Sequence, residues 1–199
     1  MAFVVQPKTS HFPSTQLKMT TVPPDSGNCV GIVGRNFISV LTAKISALAG
    51  YNTWLLCPAG QEDVILSLID ENMESPSNLE LIAGTDTELI ESRLMSTDAI
   101  VFAVDGDDPM NDDVINFFLD KERATNLKRV VAMSRNLNGK DMGFFVKASK
   151  ISANGDVWDN SKKEDYEKYE SLVKNQSAAC EAEYTIVRAG TLKVNNDIE

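Results

Sequence analysis

A lone glycine and a basic residue separate a short apolar run from a helical pattern early in the chain. The run CVGIVG ends at Gly34, and Arg35, Asn36, Phe37 and Ile38 lead into the helix. The first turn of a helix carries unpaired N–H groups and a partial positive charge, and both attract anions. The guanidinium of Arg35 would add a charge-assisted contact to a phosphate. These five residues are therefore the candidate phosphate-binding turn.

Other side chains with metal-binding or nucleophilic chemistry are few. His11 is the only histidine, so neither a histidine metal site nor a serine–histidine triad can be built. Cys29, Cys57 and Cys180 are odd in number and widely spaced, without a CxxC motif. This pattern is typical of buried, reduced thiols.

Five aspartates fall within residues 105–113. Asp105, Asp107 and Asp108 could offer oxygens to Ca²⁺ or Mg²⁺, but the later bidentate glutamate of a calcium-binding loop is missing. We therefore expect a solvated acidic loop and no metal. The last two aspartates suit the N-terminus of the helix that follows.

The elements that must position these residues alternate along the chain. Short apolar runs predict buried strands at 29–34, 53–57, 79–83, 99–104, 127–133 and 183–188. Helical spacing of apolar residues predicts helices at 38–49, 61–71, 86–95, 112–121 and 162–179. This alternation predicts βαβ units, and hence an α/β, doubly wound, Rossmann-like parallel sheet of about six strands with helices on both faces.

The overall composition limits the classes of partner. The chain has 199 residues with 19 basic and 29 acidic side chains, a net charge of −10. Such a surface repels nucleic acid and anionic lipid headgroups, so we expect no nucleic-acid partner. No apolar run approaches the ~18 residues of a membrane helix, which leaves peripheral association with a membrane complex as the remaining membrane role.

Residues 1–24 differ in composition from the rest. They contain Lys8 and Lys18, no acidic residue, and six serine or threonine residues. This composition is typical of an organelle transit peptide. Ala2-Phe3 and the later Leu17-Lys18-Met19 resemble cleavage-site residues of plastid proteins in algae with secondary plastids. We expect location on the stromal side of a plastid; the alternative is an extended tail.

Three segments match the sequence pattern of one family. VGIVG at 30–34, with the helix after it, stands where that family has a glycine-rich turn. STDAIVFAV at 96–104 resembles its fourth strand, and YTIVRAGTL at 184–192 is similar to its sixth. The chain thus resembles the atypical short-chain dehydrogenases of the NmrA-like kind. The resemblance implies an NAD(P)-binding domain over 29–192 and NADP(H) as the cofactor.

The family's glycine pattern is only partly present. Its turn reads G-x-x-G-x-x-G, and here only Gly34 remains, with Phe37 and Val40 at the other two positions. Phe37 would either occupy ligand space or turn inward as core, and Val40 would hold the helix further from the sheet. The segment CPAG at 57–60 offers neither an acid for the ribose nor an arginine for a 2′-phosphate.

The family's catalytic pair is also incomplete. It consists of a tyrosine and a lysine four residues later, whose ammonium lowers the pKa of the phenol. Here Glu170 and Val173 stand four residues after Tyr166 and Tyr169. A carboxylate beside Tyr166 would raise the pKa of that phenol, so we predict no catalytic residue. Ser134 matches the family's serine and is a candidate cofactor contact.

The functional hypothesis follows from these departures. We expect a non-catalytic NAD(P)-binding-fold protein that acts by binding a protein partner, as a scaffold or an extrinsic subunit of a plastid complex, with photosynthetic complexes among the candidates. The alternatives are an NAD(P)H-dependent reductase and an NADPH-sensing regulatory protein. Residues 193–199 are expected to form a C-terminal tail, too short for the lobe that completes the family's substrate pocket.

Overall fold

The computed structural model of the protein describes residues 28–34, 36–70, 76–104, 108–135 and 163–189. The strands are β1 (Cys29–Val33), β2 (Asn52–Cys57), β3 (Leu79–Ala83), β4 (Ala99–Phe102), β5 (Arg129–Arg135) and β6 (Glu183–Ala189). The helices are α1 (Phe37–Leu48), α2 (Glu62–Asp70), α3 (Thr87–Met95), α4 (Asp112–Phe118) and α5 (Lys163–Ala179). Within these ranges, no helix combines the length and the apolar character needed to cross a membrane.

The strands form one sheet in the order β3-β2-β1-β4-β5-β6, and every neighbouring pair is parallel. β1 is central, with Gly31 opposite Trp54 of β2 on one side and Ile100 of β4 on the other. Strand order therefore reverses direction at β1, as in a Rossmann sheet. The predicted α/β class and parallel sheet are confirmed.

Apolar side chains on the two faces of the sheet enter two separate cores. On β1, Val30 and Ile32 pack with α1 and α2 through Val40 and Ile65. Val33 points to the opposite face and packs in the larger core with α3, α4 and α5. Because parallel strands need both faces covered, this alternation explains why nearly every residue of β1 is apolar. The predicted placement of helices on both faces is confirmed.

A carboxylate just before β4 joins the starts of three strands. Asp98 Oδ2 accepts the backbone N–H groups of Asn28 and Cys29 at 2.8 and 3.0 Å, and Oδ1 accepts from Lys128 Nζ at 2.6 Å. Burial alone would raise the pKa of Asp98, but these hydrogen bonds outweigh burial and leave its pKa below the ordinary value. The aspartate of the DAIVF segment therefore holds β1, β4 and β5 together at the amino edge.

A buried tryptophan fills the space beside the central glycine. Trp54 is almost fully buried, and a Cβ on Gly31 would lie 2.2 Å from its ring. The indole Nε1–H donates to Thr97 Oγ1 at 3.0 Å, and that hydroxyl donates to the carbonyl of Arg93 at 2.7 Å. The polar end of the ring is thus satisfied within the core, as burial requires.

Candidate functional site

A cleft of about 570 Å³ opens at the carboxyl edge of the sheet, between the strand ends and helices α3 and α4. Open parallel sheets bind their ligands at this edge, where strand order reverses. The volume lies within the range of small-molecule sites. The lining residues are mostly apolar: Gly34, Leu56, Cys57, Pro58, Ala59, Gly84, Thr87, Ile90, Asp113, Val114, Phe117 and Phe118.

Gly34 is required by close packing at the floor of the cleft. A Cβ there would lie 2.4 Å from the carbonyl oxygen of Ala103 and 2.7 Å from Ser39 Cβ. Strand β1 and helix α1 therefore approach closely through Gly34 and Ser39. Val40 is buried in the core between α1 and the sheet. The expectation that Val40 increases the separation of helix and sheet stays a prediction.

The start of α1 is capped by its own side chains. Asn36 Oδ1 accepts the backbone N–H of Ser39 at 3.1 Å, and Ser39 Oγ donates to the Asn36 carbonyl at 2.6 Å. The cap thus uses one of the N–H groups that an anion would otherwise bind. Arg35, the predicted phosphate contact, lies outside the described residues.

The ring of Phe37 points outward at the first position of α1. Its residue is 61% exposed, so the expectation that it turns inward as core is wrong. The ring lines a second groove of about 150 Å³ between α1 and α2, shared with Val64 and Leu68. Gly34 lines both openings, but Phe37 lines only the groove between the helices.

One acidic side chain belongs to the described lining of the larger cleft. Asp113 belongs to its lining and would repel a phosphate. Asp112 instead pairs with Lys168 of α5 at 2.5 Å. Helix α4 begins at Asp112 with Asn111 as its cap, as predicted for an acidic helix start. Of the three candidate cation ligands, Asp105 and Asp107 lie outside the described residues.

A closed polar network joins the ends of β5 and β6 to α5. Ser134 is buried at the end of β5, and its Oγ donates to Glu170 Oε1 at 2.7 Å. Arg188 of β6 donates from Nε to Oε1 at 2.9 Å and from Nη2 to Oε2 at 2.5 Å. The Arg188 hydrogen bond, aided by that of Ser134, lowers the pKa of Glu170 despite partial burial. The carboxylate is thus held ionised by its two partners.

The two tyrosines of α5 belong to the core. Tyr166 and Tyr169 are each 1% exposed and meet edge to face, with ring centroids 6.5 Å apart. Burial, and then the neighbouring Tyr166 and Glu170, raise the pKa of Tyr169 well above its ordinary value. Its hydroxyl has no hydrogen-bond partner among the described residues. A phenol held protonated in this way is a poor base at neutral pH.

The cysteine thiols are free and unreactive in character. Cys57 is buried, whereas Cys29 and Cys180 are only partly buried. The expectation of buried thiols is therefore confirmed only for Cys57. Burial raises the pKa of all three thiols. Thiolate, the reactive form, is therefore scarce at neutral pH.

The predicted site residues separate into different places. Gly34 borders the larger cleft, and Gly34, Asn36 and Phe37 border the smaller groove. Ile38 packs partly buried against the core beneath α1. Ser134 is absent from the described lining of both openings and belongs to the Glu170 network. The cleft above Gly34 thus extends toward α4 rather than toward Ser134.

Sequence reasoning missed the residues that form the other wall of the larger cleft. Thr87 and Ile90 of α3 and Val114 and Phe117 of α4 face the strand ends across it. Their apolar spacing marks helices that pack on a sheet, which gives no sign of a ligand. Arg188 was also missed as a partner of Glu170, and no local signal links them across 18 positions.

Comparisons with known proteins give distant structural likeness. No family model matches the chain, and no curated protein matches it. A solved structure described as AtPrR2 in apo form is 16% identical over 81% of this chain, with a TM-score of 0.46. The chain spans only 48% of that structure, about half its length.

Two further solved structures are described as dehydrogenases. A double mutant of a Serratia marcescens short-chain dehydrogenase/reductase is 15% identical, with 66% of this chain and 65% of that chain covered and a TM-score of 0.40. The (S)-3-hydroxybutyryl-CoA dehydrogenase PaaH1 from Ralstonia eutropha is 12% identical, with 86% and 67% covered and a TM-score of 0.39. The class of this chain, a Rossmann-like α/β protein, is defined by its own strand order and register.

Proposed function

We propose that this chain is a non-catalytic binding protein built on a Rossmann-like sheet. The observation that carries the proposal is the Ser134–Glu170–Arg188 network at the carboxyl ends of β5 and β6. A hydride-transfer site of the resembled family needs a cation one helical turn after the tyrosine. Here that position holds a carboxylate, already paired with an arginine.

The free energy needed to convert this network into a catalytic site supports the same proposal. Glu170 is largely buried, with a side chain 14% exposed, and it satisfies the buried hydroxyl of Ser134. Releasing Ser134 for a substrate would leave the carboxylate short of a donor, at a cost of about 1–3 kcal/mol. Burial raises the pKa of the nearby Tyr169 phenol, which keeps it protonated and unsuited to act as a base at neutral pH.

The larger cleft favours a second candidate, an NADPH-sensing protein. Its walls combine a glycine that permits close approach with Val114, Phe117 and Ile90, which suit a flat, uncharged ring such as adenine. Asp113 opposes a phosphate at the same opening. The adenosine half of the nucleotide would therefore bind better than its phosphates, and binding needs no catalytic residue.

Thermal unfolding with millimolar NADPH or NADH separates the candidates. A ligand at 100 times its Kd stabilises the folded state by about 2.7 kcal/mol, a rise of several degrees for a domain of this size. The scaffold proposal expects no rise with either nucleotide. A rise without NADPH oxidation in the presence of carbonyl acceptors supports the sensor, and a rise with oxidation supports a reductase and overturns the proposal.

A matched pair of variants locates any binding that is seen. Val114→Arg places a long side chain inside the larger cleft, whereas Met95→Arg changes an exposed position of α3 outside it. A nucleotide that binds in the cleft should no longer raise the melting temperature of Val114→Arg, but it should still raise that of Met95→Arg. Equal stabilisation of both variants would place the nucleotide elsewhere.

We further propose a plastid protein partner on the stromal side, with the chain as an extrinsic subunit. Support comes from the acid-free, hydroxyl-rich composition of residues 1–24 and from the acidic charge, which suits a basic partner. Fractionation of plastids from the source cells, followed by affinity purification from stroma and membranes, tests this. Recovery of the protein only outside plastids would contradict it.

A further inference from the structure

Helix α1 is apolar on its outer face as well as its inner face. The inward residues are Ser39, Val40, Ala43 and Ala47. The outward stripe consists of Phe37, Leu41, Ile45 and Leu48, each between 39% and 61% exposed. A helix with apolar residues on two opposite faces is typical of one covered on both sides. Among the described residues, the sheet and α2 pack against α1 and leave the outward stripe exposed.

Helix α1 carries one charged side chain, and that side chain binds α2. Lys44 is its one charged residue, and Lys44 Nζ donates to the carbonyl of Ile69 at 2.8 Å. The ammonium therefore lies at the end of α2 and binds a carbonyl there. The ammonium thus already has a hydrogen-bond partner within the chain, which lowers the cost of covering this surface.

Helix α2 extends the same surface. Val64 and Leu68 are exposed and share the groove with Phe37, and Tyr51 is exposed after the end of α1. We call these seven residues the α1–α2 face: Phe37, Leu41, Ile45, Leu48, Tyr51, Val64 and Leu68. The acids of α2, Glu62 and Asp63, stand at its first turn, on the rim of the face.

The size of the α1–α2 face fits an interface rather than ordinary surface. Its seven large apolar side chains are each 39–61% exposed, and together they form a patch on the order of several hundred Å², the size of the largest apolar patch on a typical monomer. A stable interface of standard size buries about 800 Å² on each partner. One such face on each of two molecules is therefore large enough to form the apolar centre of a dimer interface.

We propose that the α1–α2 face is the interface between two copies of this chain, related by a twofold axis. In such a dimer the same patch meets itself, so the patch must be free of like charges. Each copy carries a net charge of −10, and the repulsion between two copies is smallest where the surfaces that meet carry few charges. The outer stripe of α1 carries no charge, and its groove beside Phe37 can receive an apolar side chain from the partner. This goes beyond the proposed function and does not depend on nucleotide binding.

Sedimentation velocity of the full chain over a range of concentrations tests the proposal. The wild-type chain is expected to sediment as a dimer. Ile45→Glu, at a residue 57% exposed in the middle of the stripe, should weaken the dimer about a hundredfold or more. Met95→Glu is the matched control, since Met95 is an apolar helix residue 51% exposed on the opposite face of the sheet. It should leave the dimer intact.

Two outcomes overturn the proposal. One is a wild-type chain that stays monomeric at every concentration, which would mean that another partner or another part of this chain covers the face. The other is a folded Ile45→Glu chain that remains dimeric. Should this variant not fold, hydrogen exchange of the wild-type chain decides: amides of α1 must exchange more slowly at high protein concentration, and an unchanged rate contradicts the interface.

Discussion

At the scale of single residues, close contacts decide which side chains the fold tolerates. Gly31 and Gly34 both lie where an added Cβ would overlap a neighbour, the Trp54 ring in one case and the Ala103 carbonyl in the other. Only Gly34 stands at a position that the resembled family marks with glycine. Glycine is required at position 31 because the Trp54 ring leaves no space for a Cβ there. This requirement is not part of the resembled family's glycine pattern.

Gly31→Ala should destabilise the protein by about 1–3 kcal/mol, because the methyl group forces Trp54 out of its packed position. Gly84→Ala is the control, since its Cβ would meet a carbonyl at an ordinary 3.4 Å. Urea unfolding of both variants measures the difference. Equal midpoints would show that Trp54 yields without cost.

The Ser134–Glu170–Arg188 network predicts a pH dependence. The pKa of Glu170 is lowered in the folded state, chiefly by its hydrogen bond from Arg188, so its stabilisation is present above the unfolded pKa. That stabilisation is lost as the pH falls through the lower, folded pKa. Glu170→Gln should therefore unfold with a weaker dependence on pH in the acid range than the wild-type chain. Thermal unfolding at several acidic pH values measures this dependence. The prediction is wrong if the melting temperatures of both proteins change with pH to the same extent.

At the scale of elements, the central strand is held by contacts at both of its ends. Gly34 sets how closely α1 follows β1, and Asp98 binds the start of β1 to β4 and β5. The aspartate of the segment at 96–104 thus has a structural role that its place in a family pattern does not reveal.

Asp98→Ala should destabilise the protein by about 2–3 kcal/mol, because two backbone N–H groups lose a charged acceptor. Lys128→Met removes only the exposed partner and should cost less than about 1 kcal/mol. Urea unfolding compares the two. A larger effect for Lys128→Met would assign the stabilisation to the ion pair instead.

Much of the element pattern could be predicted from the sequence. The strand at 79–83 and the helix at 86–95 were recognised because alternation and helical spacing are local signals. The helix predicted at 112–121 ends at Phe118, because Leu119 leaves the helical conformation with φ −109°. The cleft could not be predicted, since its walls come from elements that only the fold brings together. The outward position of Phe37 likewise depends on how α1 lies on the sheet.

At the scale of the whole molecule, a cleft, a closed polar network and an exposed apolar face lie in different regions of the described structure. The cleft opens between the strand ends, α3 and α4; the network joins β5, β6 and α5; and the apolar face belongs to α1 and α2. A ligand in the cleft and a second copy on α1 and α2 could therefore be bound together, and Gly34, Leu56 and Pro58 line both the cleft and the neighbouring groove.

The order β3-β2-β1-β4-β5-β6 also has a consequence for how the protein is made. As the ribosome releases the chain, β2 and β3 add in turn to one side of β1, and β4, β5 and β6 add in turn to the other. No strand has to be inserted between two that are already paired. The sheet can therefore grow outward during translation, and β6 closes it only as the last part of the described chain emerges.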